Sequence, residues 1–400
     1  MTDFLIGRQQ ILDSKLNTFA YEILFRGKHF DLSAKDEAAS ATNQVITDTI
    51  LEIGLNELVG PHFAFINFTA QNILEKTPLQ LPKDRIVIEV LEDVVVDLRI
   101  INNLRELSAQ GYTIALDDFS LTPQWLPLLE FADIVKLDIL AQSLDETHQI
   151  IEKLKPYKLK LLAEKVETHR EFELLKEWGC ELFQGFFFSK PKLVEGKRVN
   201  ISQTAAIQLL AIINKEDVSF QDISKAITQD VALSYKLLYY INSASFALPS
   251  KIESIQHALA FLGLKEIRRW VNILTLSSMS AQPPAVLQTI LVRAKMCELL
   301  AQEIDTDKDT CFLVGLFSGL DTILDKPLEQ ALQPLPLSSC VTQAILHKTG
   351  VAGEALQYAL DYERWEVDKP IFYNIEPQRI ATIYLECIQW WANEVYPFIR

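Results

Sequence analysis

The feature that most restricts this chain is a change of rhythm near its middle. From the start to about residue 195, short β-rich runs alternate with helix-length stretches. The runs are FLIGRQQIL, AYEILF, FAFINF, RIVIEV, TIALDD, IVKLD, LKLLAEK and CELFQGFFF. Near-continuous apolar strands separated by helical patterns such as VVVDLRIINNLRELSAQ and HREFELLKEW call for a parallel sheet covered on both faces. Eight such runs argue for a (β/α) barrel over an open sheet. The first two, joined by a short turn around Asp13 and Ser14, read as a hairpin, which makes the barrel irregular.

The polar stretch KLVEGKRVN, residues 192–200, reads as a boundary. Beyond it TAAIQLLAIIN, FQDISKAIT, VALSYKLLYYIN, SIQHALAFL, KEIRRWVNILTL and AVLQTILVRAKMCELLAQEI all carry a period of 3.6. The expectation is therefore α/β plus all-α: a modified TIM-like barrel over residues 1–195 and a helical domain over 196–400.

Bulk properties narrow the class. A chain of 400 residues exceeds what one core usually serves. No apolar run approaches the ~20 residues of a spanning helix, and MTDFLIGRQQ lacks the features of a signal peptide. The expectation is a cytoplasmic protein without a membrane partner. Five scattered cysteines with no C-x-x-C pair read as buried reduced thiols. A formal net charge of −15 argues against nucleic-acid polymers as partners, though not against a small anion bound through metals.

In the first half the polar residues sit at the ends of the apolar runs. Glu22, Asn67, Glu89, Asp117 with Asp118, Lys136 with Asp138, Glu164 and Gln184 each occupy the last part of one. Strand ends converge on one face of a barrel. A single acid after a strand is ordinarily a cap or turn residue, but seven successive strands supply one polar group each. Carboxylates at that density need cations, and oxygen-rich clusters suit Mg2+ or Mn2+. Two such ions can bracket a phosphate during in-line attack by water. The residues alone leave phosphodiester hydrolysis and a structural network both open. Lys136 is open in the same way: it either orients water or forms an ion pair with Asp138.

These motifs, in order, resemble the EAL family of cyclic di-GMP phosphodiesterases. EIL within AYEILFRG retains Glu22, Leu24 and Arg26, and FINFT supplies Asn67. EVLE supplies Glu89 and Glu92, DDF supplies Asp117 and Asp118, and KLD supplies Lys136 and Asp138. AEKVE supplies Glu164 and Glu167, and GCELFQGFFFSKP supplies Gln184. The resemblance implies that Glu22, Asn67, Glu89 and Asp117 bind metal directly, with Asp118 and Glu164 completing a site for two ions. It implies that Lys136 steers or deprotonates the attacking water, Arg26 contacts a ligand phosphate and Gln184 positions substrate or water. Glu92, Asp138 and Glu167 would support those groups from behind.

Two departures from the family stand out. DDFSLTPQWLPLL lacks both glycines expected after the aspartate pair, and glycine permits left-handed angles that Ser120 adopts only at a cost. Lys165 replaces the glycine of Ala-Glu-Gly-Val-Glu. The altered loop puts turnover and its control at issue.

The second half, through VALSYKLLYYINSASF and IESIQHALAFLGLKEIRRWV, resembles the HDOD domain. The Asn242-Ser243-Ala244 turn and the Leu262-Gly263-Leu264 helix boundary carry the match. His257 and His347 are not followed by Asp, and LFSGLD has Ser318 where a related metal hydrolase places its dyad, so this half is not expected to hydrolyse. HDOD modules serve as regulatory or interaction units, which implies a signalling-protein partner. EAL followed by HDOD is similar to the YuxH-like group of bacterial signalling proteins, for which a homodimer through the barrel is a further expectation. The expected activity is hydrolysis of cyclic di-GMP to pGpG. The alternatives are a non-catalytic cyclic di-GMP receptor and an adaptor with a degenerate EAL domain.

Overall fold

The computed structural model describes residues 4–27, 54–141, 143–185, 201–215, 217–229, 231–242, 252–280, 283–365 and 371–399. The chain divides into two compact units, Met1–Lys190 with Glu376–Leu385 and Pro191–Ile375 with Glu386–Arg400.

The first unit is a closed barrel. Its strands are β1 Phe4–Asp13, β2 Thr18–Gly27, β3 Phe63–Phe68, β4 Ile86–Val90, β5 Thr113–Leu116, β6 Ile134–Asp138, β7 Lys160–Glu164 and β8 Leu182–Phe183, joined in sequence order. β1 runs antiparallel to both neighbours, β2 and β8, and the other pairs are parallel. The expected hairpin closes at Asp13, whose Oδ1 accepts from the amides of Lys15 and Asn17 at 2.8 Å each. A short carboxylate that bonds its own downstream amides is a turn device. The run CELFQGFFF forms only the two-residue strand β8, and its residues from 186 onward lie outside the described ones.

The helices start where caps allow. Leu98–Ala109 begins after Asp97, which accepts from the amides of Arg99 and Ile100, so Val94–Val96 stay outside the helix. Ser143 with Glu146 and Thr168 with Glu171 form capping boxes for Leu144–Leu154 and His169–Trp178. Each helix turns an apolar stripe to the barrel, such as Ile100, Leu104 and Leu107.

Inside the barrel every strand contributes one apolar residue to a single plug: Ile11, Ala20, Phe65, Val87, Ala115, Ile134, Leu162 and Leu182. A strand repeats its inward face every second residue. That period decides what stands above the plug.

The second unit is helical among its described residues. Ile255–Met279 comprises two helices joined across Gly263, where φ 79° and ψ 165° break the helical path. The expected helix boundary at Leu262-Gly263-Leu264 is therefore where the helical path breaks. Asn242 holds Ile252 through both its amide groups, at 2.8 Å each; Ser243 and Ala244 lie outside the described residues. Gly315 brings Lys308–Phe317 against Pro284–Glu303, since a Cβ there would lie 2.7 Å from Ala294 Cα. Of the aromatic residues in YERWEV and YLECIQWWANEVY, Tyr362, Trp390 and Trp391 are buried in the core. Cys180, Cys297, Cys311 and Cys387 are buried and reduced, while Cys340 is exposed. Among the described residues no helix is long and apolar enough to cross a membrane.

Candidate active site

Two residues beyond the apolar plug on each parallel strand, and two before it on antiparallel β1, lies a second inward set. It consists of Gln9, Glu22, Asn67, Glu89, Asp117, Lys136, Glu164 and Gln184. One side chain comes from each strand or from the residue just after it, and contacts join all eight. Lys136 Nζ lies 2.8 Å from Asp117, 2.8 Å from Glu164 and 3.8 Å from Glu22, and it touches Glu89 most closely of all. Gln184 Nε2 donates to Glu22 at 2.6 Å and to Gln9 at 2.8 Å, and Asn67 Nδ2 approaches Glu22 at 3.5 Å. Gln184 is seated by Gly185, at φ 143°, where a Cβ would lie 2.2 Å from the Val166 carbonyl oxygen.

Electrostatics follow from burial. Lys136 is only 1% exposed. Burial alone would strip its proton, but the attraction of Glu164, Glu22, Glu89 and Asp117 wins and holds its pKa well above the ordinary lysine value. Burial also pushes Glu89 well up and Glu164 to about 8; Lys136 opposes both shifts, and the neighbouring carboxylates add to them. One ammonium does not neutralise this many acids. Among the described residues Glu89 Oε2 and Asn67 Oδ1 remain buried with no hydrogen-bond partner. Oxygens of Asp117, Asp118 and Glu164 lie within 4.8 Å of one another. An all-oxygen set with unmet acceptors fits a hard divalent cation.

The remaining candidates lie around this ring. Asp118 has φ 39°, a left-handed angle that costs a non-glycine residue about 1 kcal/mol. Ser120, where the strain was expected, is exposed and has no such angle. The loop is anchored instead by Phe119, whose ring is buried against Trp125 and whose amide donates to the Lys136 carbonyl at 3.0 Å. Asp138 does not pair with Lys136. Its Oδ1 accepts from the amides of Leu140 and Ala141, and its Oδ2 accepts from Lys165. Glu92 is exposed and acts on Asp118 only through its charge. Glu167 is exposed beside the helix cap and stays outside the ring. Arg26 belongs to β2, but its side chain lies outside the described residues.

Residues 50–191 match the EAL domain and residues 201–333 the HDOD domain. YuxH of Bacillus subtilis strain 168 is 32% identical over 97% of this chain and 98% of its own length. The chain belongs to the EAL–HDOD family. CdgJ of Vibrio cholerae El Tor, named a cyclic di-GMP phosphodiesterase, is 34% identical over 90% of this chain and 84% of its own. A standalone EAL protein from Vibrio cholerae O395, solved with c-di-GMP bound, aligns with 47% of this chain and 92% of its own at 26% identity and a TM-score of 0.38.

Within this EAL–HDOD chain, one member of the ring escaped sequence reasoning. Gln9 lies inside FLIGRQQIL, and only β1's reversed direction puts it level with Glu22. Its signal was a polar Gln-Gln pair interrupting an apolar strand. In the helical unit His257 and His347 are both exposed. Ser318 donates to the Gly315 carbonyl at 2.7 Å and accepts from Arg293 at 3.0 Å, while Arg293 grips Glu363 with two bonds of 2.9 Å. These groups satisfy one another and tie three helices together.

Proposed function

We propose that this chain hydrolyses cyclic di-GMP to linear pGpG in the cytoplasm, with a barrel over residues 1–195 as the catalytic domain and residues 196–400 as a regulatory one. The observation that carries the reading is the ring itself: oxygen ligands from five strands around one ammonium, with acceptors left unmet among the described residues. The substrate comes from the relative CdgJ, which covers nearly the whole chain.

Glu22, Asn67, Glu89 and Asp117 would hold one Mg2+ or Mn2+ ion, and Asp117, Asp118 and Glu164 a second. Such ions, when bound, acidify water and offset charge on the phosphate. Lys136 keeps its proton, so it acts as a hydrogen-bond donor that aims the water and not as a base. Gln184 sets the orientation of Glu22, and Arg26 meets the phosphate. Water forms the new O–P bond, the P–O3′ bond breaks, and the water's proton ends on the released 3′ oxygen. Purified protein incubated with cyclic di-GMP and either metal should yield pGpG by chromatography, and Glu22→Ala should abolish it.

A second reading is favoured by the left-handed Asp118 and the glycine-free loop that follows it. There the chain binds cyclic di-GMP without turnover and passes occupancy to a signalling partner through the HDOD half. Tight binding with no product would support it, and absence of both would leave an adaptor. A barrel-mediated homodimer belongs to the same proposal and is tested by sedimentation.

A further inference from the structure

Lys165 holds a place where a side chain is disfavoured. Its φ of 56° lies in the left-handed region, directly after the ring residue Glu164. Its ammonium reaches Asp138, and this leaves Asp138 fully engaged: one oxygen on Lys165, the other on the amides of Leu140 and Ala141 at 2.8 and 3.1 Å. Asp138 stands opposite Glu164 in the β6–β7 ladder and is 8% exposed. Both Asp138 and Lys165 act on Asp118 through their charges, so they flank the Asp117–Asp118–Glu164 group. Without the ammonium, the Oδ2 of Asp138 on that border would lose its cationic partner.

We propose that Lys165 is a built-in counter-charge that weakens divalent-cation binding at Asp117, Asp118 and Glu164, by repelling the ion and by keeping Asp138 occupied. The inference rests on the reading that this group holds a metal. It makes Lys165 a positioning residue that sets how much metal the site needs, independently of nucleotide. The side chain is 55% exposed. A partly solvated unit charge beside a divalent ion is worth about a tenfold change in affinity.

The test is Mn2+ titration of nucleotide-free, full-length protein, followed by calorimetry and by the electron paramagnetic resonance of free Mn2+. Lys165→Gln should bind Mn2+ about tenfold more tightly than wild type, Lys165→Gly at least as tightly as Lys165→Gln, and Lys165→Arg as wild type does. Thermal unfolding of each apo variant verifies the fold. A gain in Lys165→Gly alone would assign the effect to backbone strain and overturn the charge argument. An equal gain in Lys165→Arg would overturn it too, as would unchanged affinity in Lys165→Gln. Wild-type binding with no change among variants sinks this inference only, whereas no Mn2+ binding by any of the proteins sinks the metal reading together with it.

Discussion

Asn67 stands opposite Glu89 in the β3–β4 ladder, and each keeps one buried oxygen that accepts no hydrogen bond among the described residues. An acceptor stranded in this way costs about 1–3 kcal/mol, and a bound cation removes the cost. Protein stripped by a chelator is expected to unfold more easily. Mn2+ at a hundred times its Kd should restore about 2.7 kcal/mol in denaturant titrations. Glu89→Gln should lose that metal-dependent gain. A wild-type curve indifferent to metal would contradict the assignment.

Lys136 is the one ammonium described inside the ring, with carboxylates of Glu22, Glu89, Asp117 and Glu164 about it. Lys136→Met leaves those acids without their ammonium counter-charge. The expected loss is about 3–5 kcal/mol in the absence of metal, and added Mn2+ should recover part of it. Urea unfolding with and without the ion measures both numbers. Product formation should fall with the loss of the water-aiming donor even where stability is recovered.

The β1–β2 turn offers a pH-dependent check away from the site. Burial would raise the Asp13 pKa, but the amide and side chain of Asn17 and the amide and charge of Lys15 outweigh it and hold it below its ordinary 3.8. A carboxyl whose folded pKa is lowered contributes stability above its unfolded pKa and loses it as pH falls through the folded value. Asp13→Ala should therefore cost about 0.5–1 kcal/mol at neutral pH. The gap between variant and wild type should close in acid below 3.8. Urea midpoints at the two pH values decide it.

In the helical unit Arg293 and Glu363 form a bidentate pair, 6% and 17% exposed. Arg293→Ala leaves a carboxylate stranded, and a loss of about 3–5 kcal/mol is expected. The double variant Arg293→Met with Glu363→Leu should regain most of it, because an apolar pair of similar volume needs no charge partner. A double variant no better than the single one would show that the Ser318 contact carries the stability.

Much of this architecture is written locally. Apolar period, caps at Asp97, Ser143 and Thr168, and the Asp13 turn depend on neighbours a few residues away, so β-strands and helices could be read from the chain alone. The motifs also identified Glu22, Asn67, Glu89, Asp117, Lys136 and Glu164 as candidates, because a polar residue at the end of an apolar strand is conspicuous in any context. What tertiary structure decided was which of them meet. Closure of eight strands with a period of two brought Gln184 to Glu22 and to Gln9 across more than 160 residues. Closure also gave Lys136 four carboxylates to hold, and Asp138 went to Lys165. No local rule contains that choice, since it depends on strand direction and stagger around a closed ring. The left-handed angle likewise fell on Asp118 and not on Ser120, because the buried Phe119 and its bond to the Lys136 carbonyl anchor the loop where the backbone must turn.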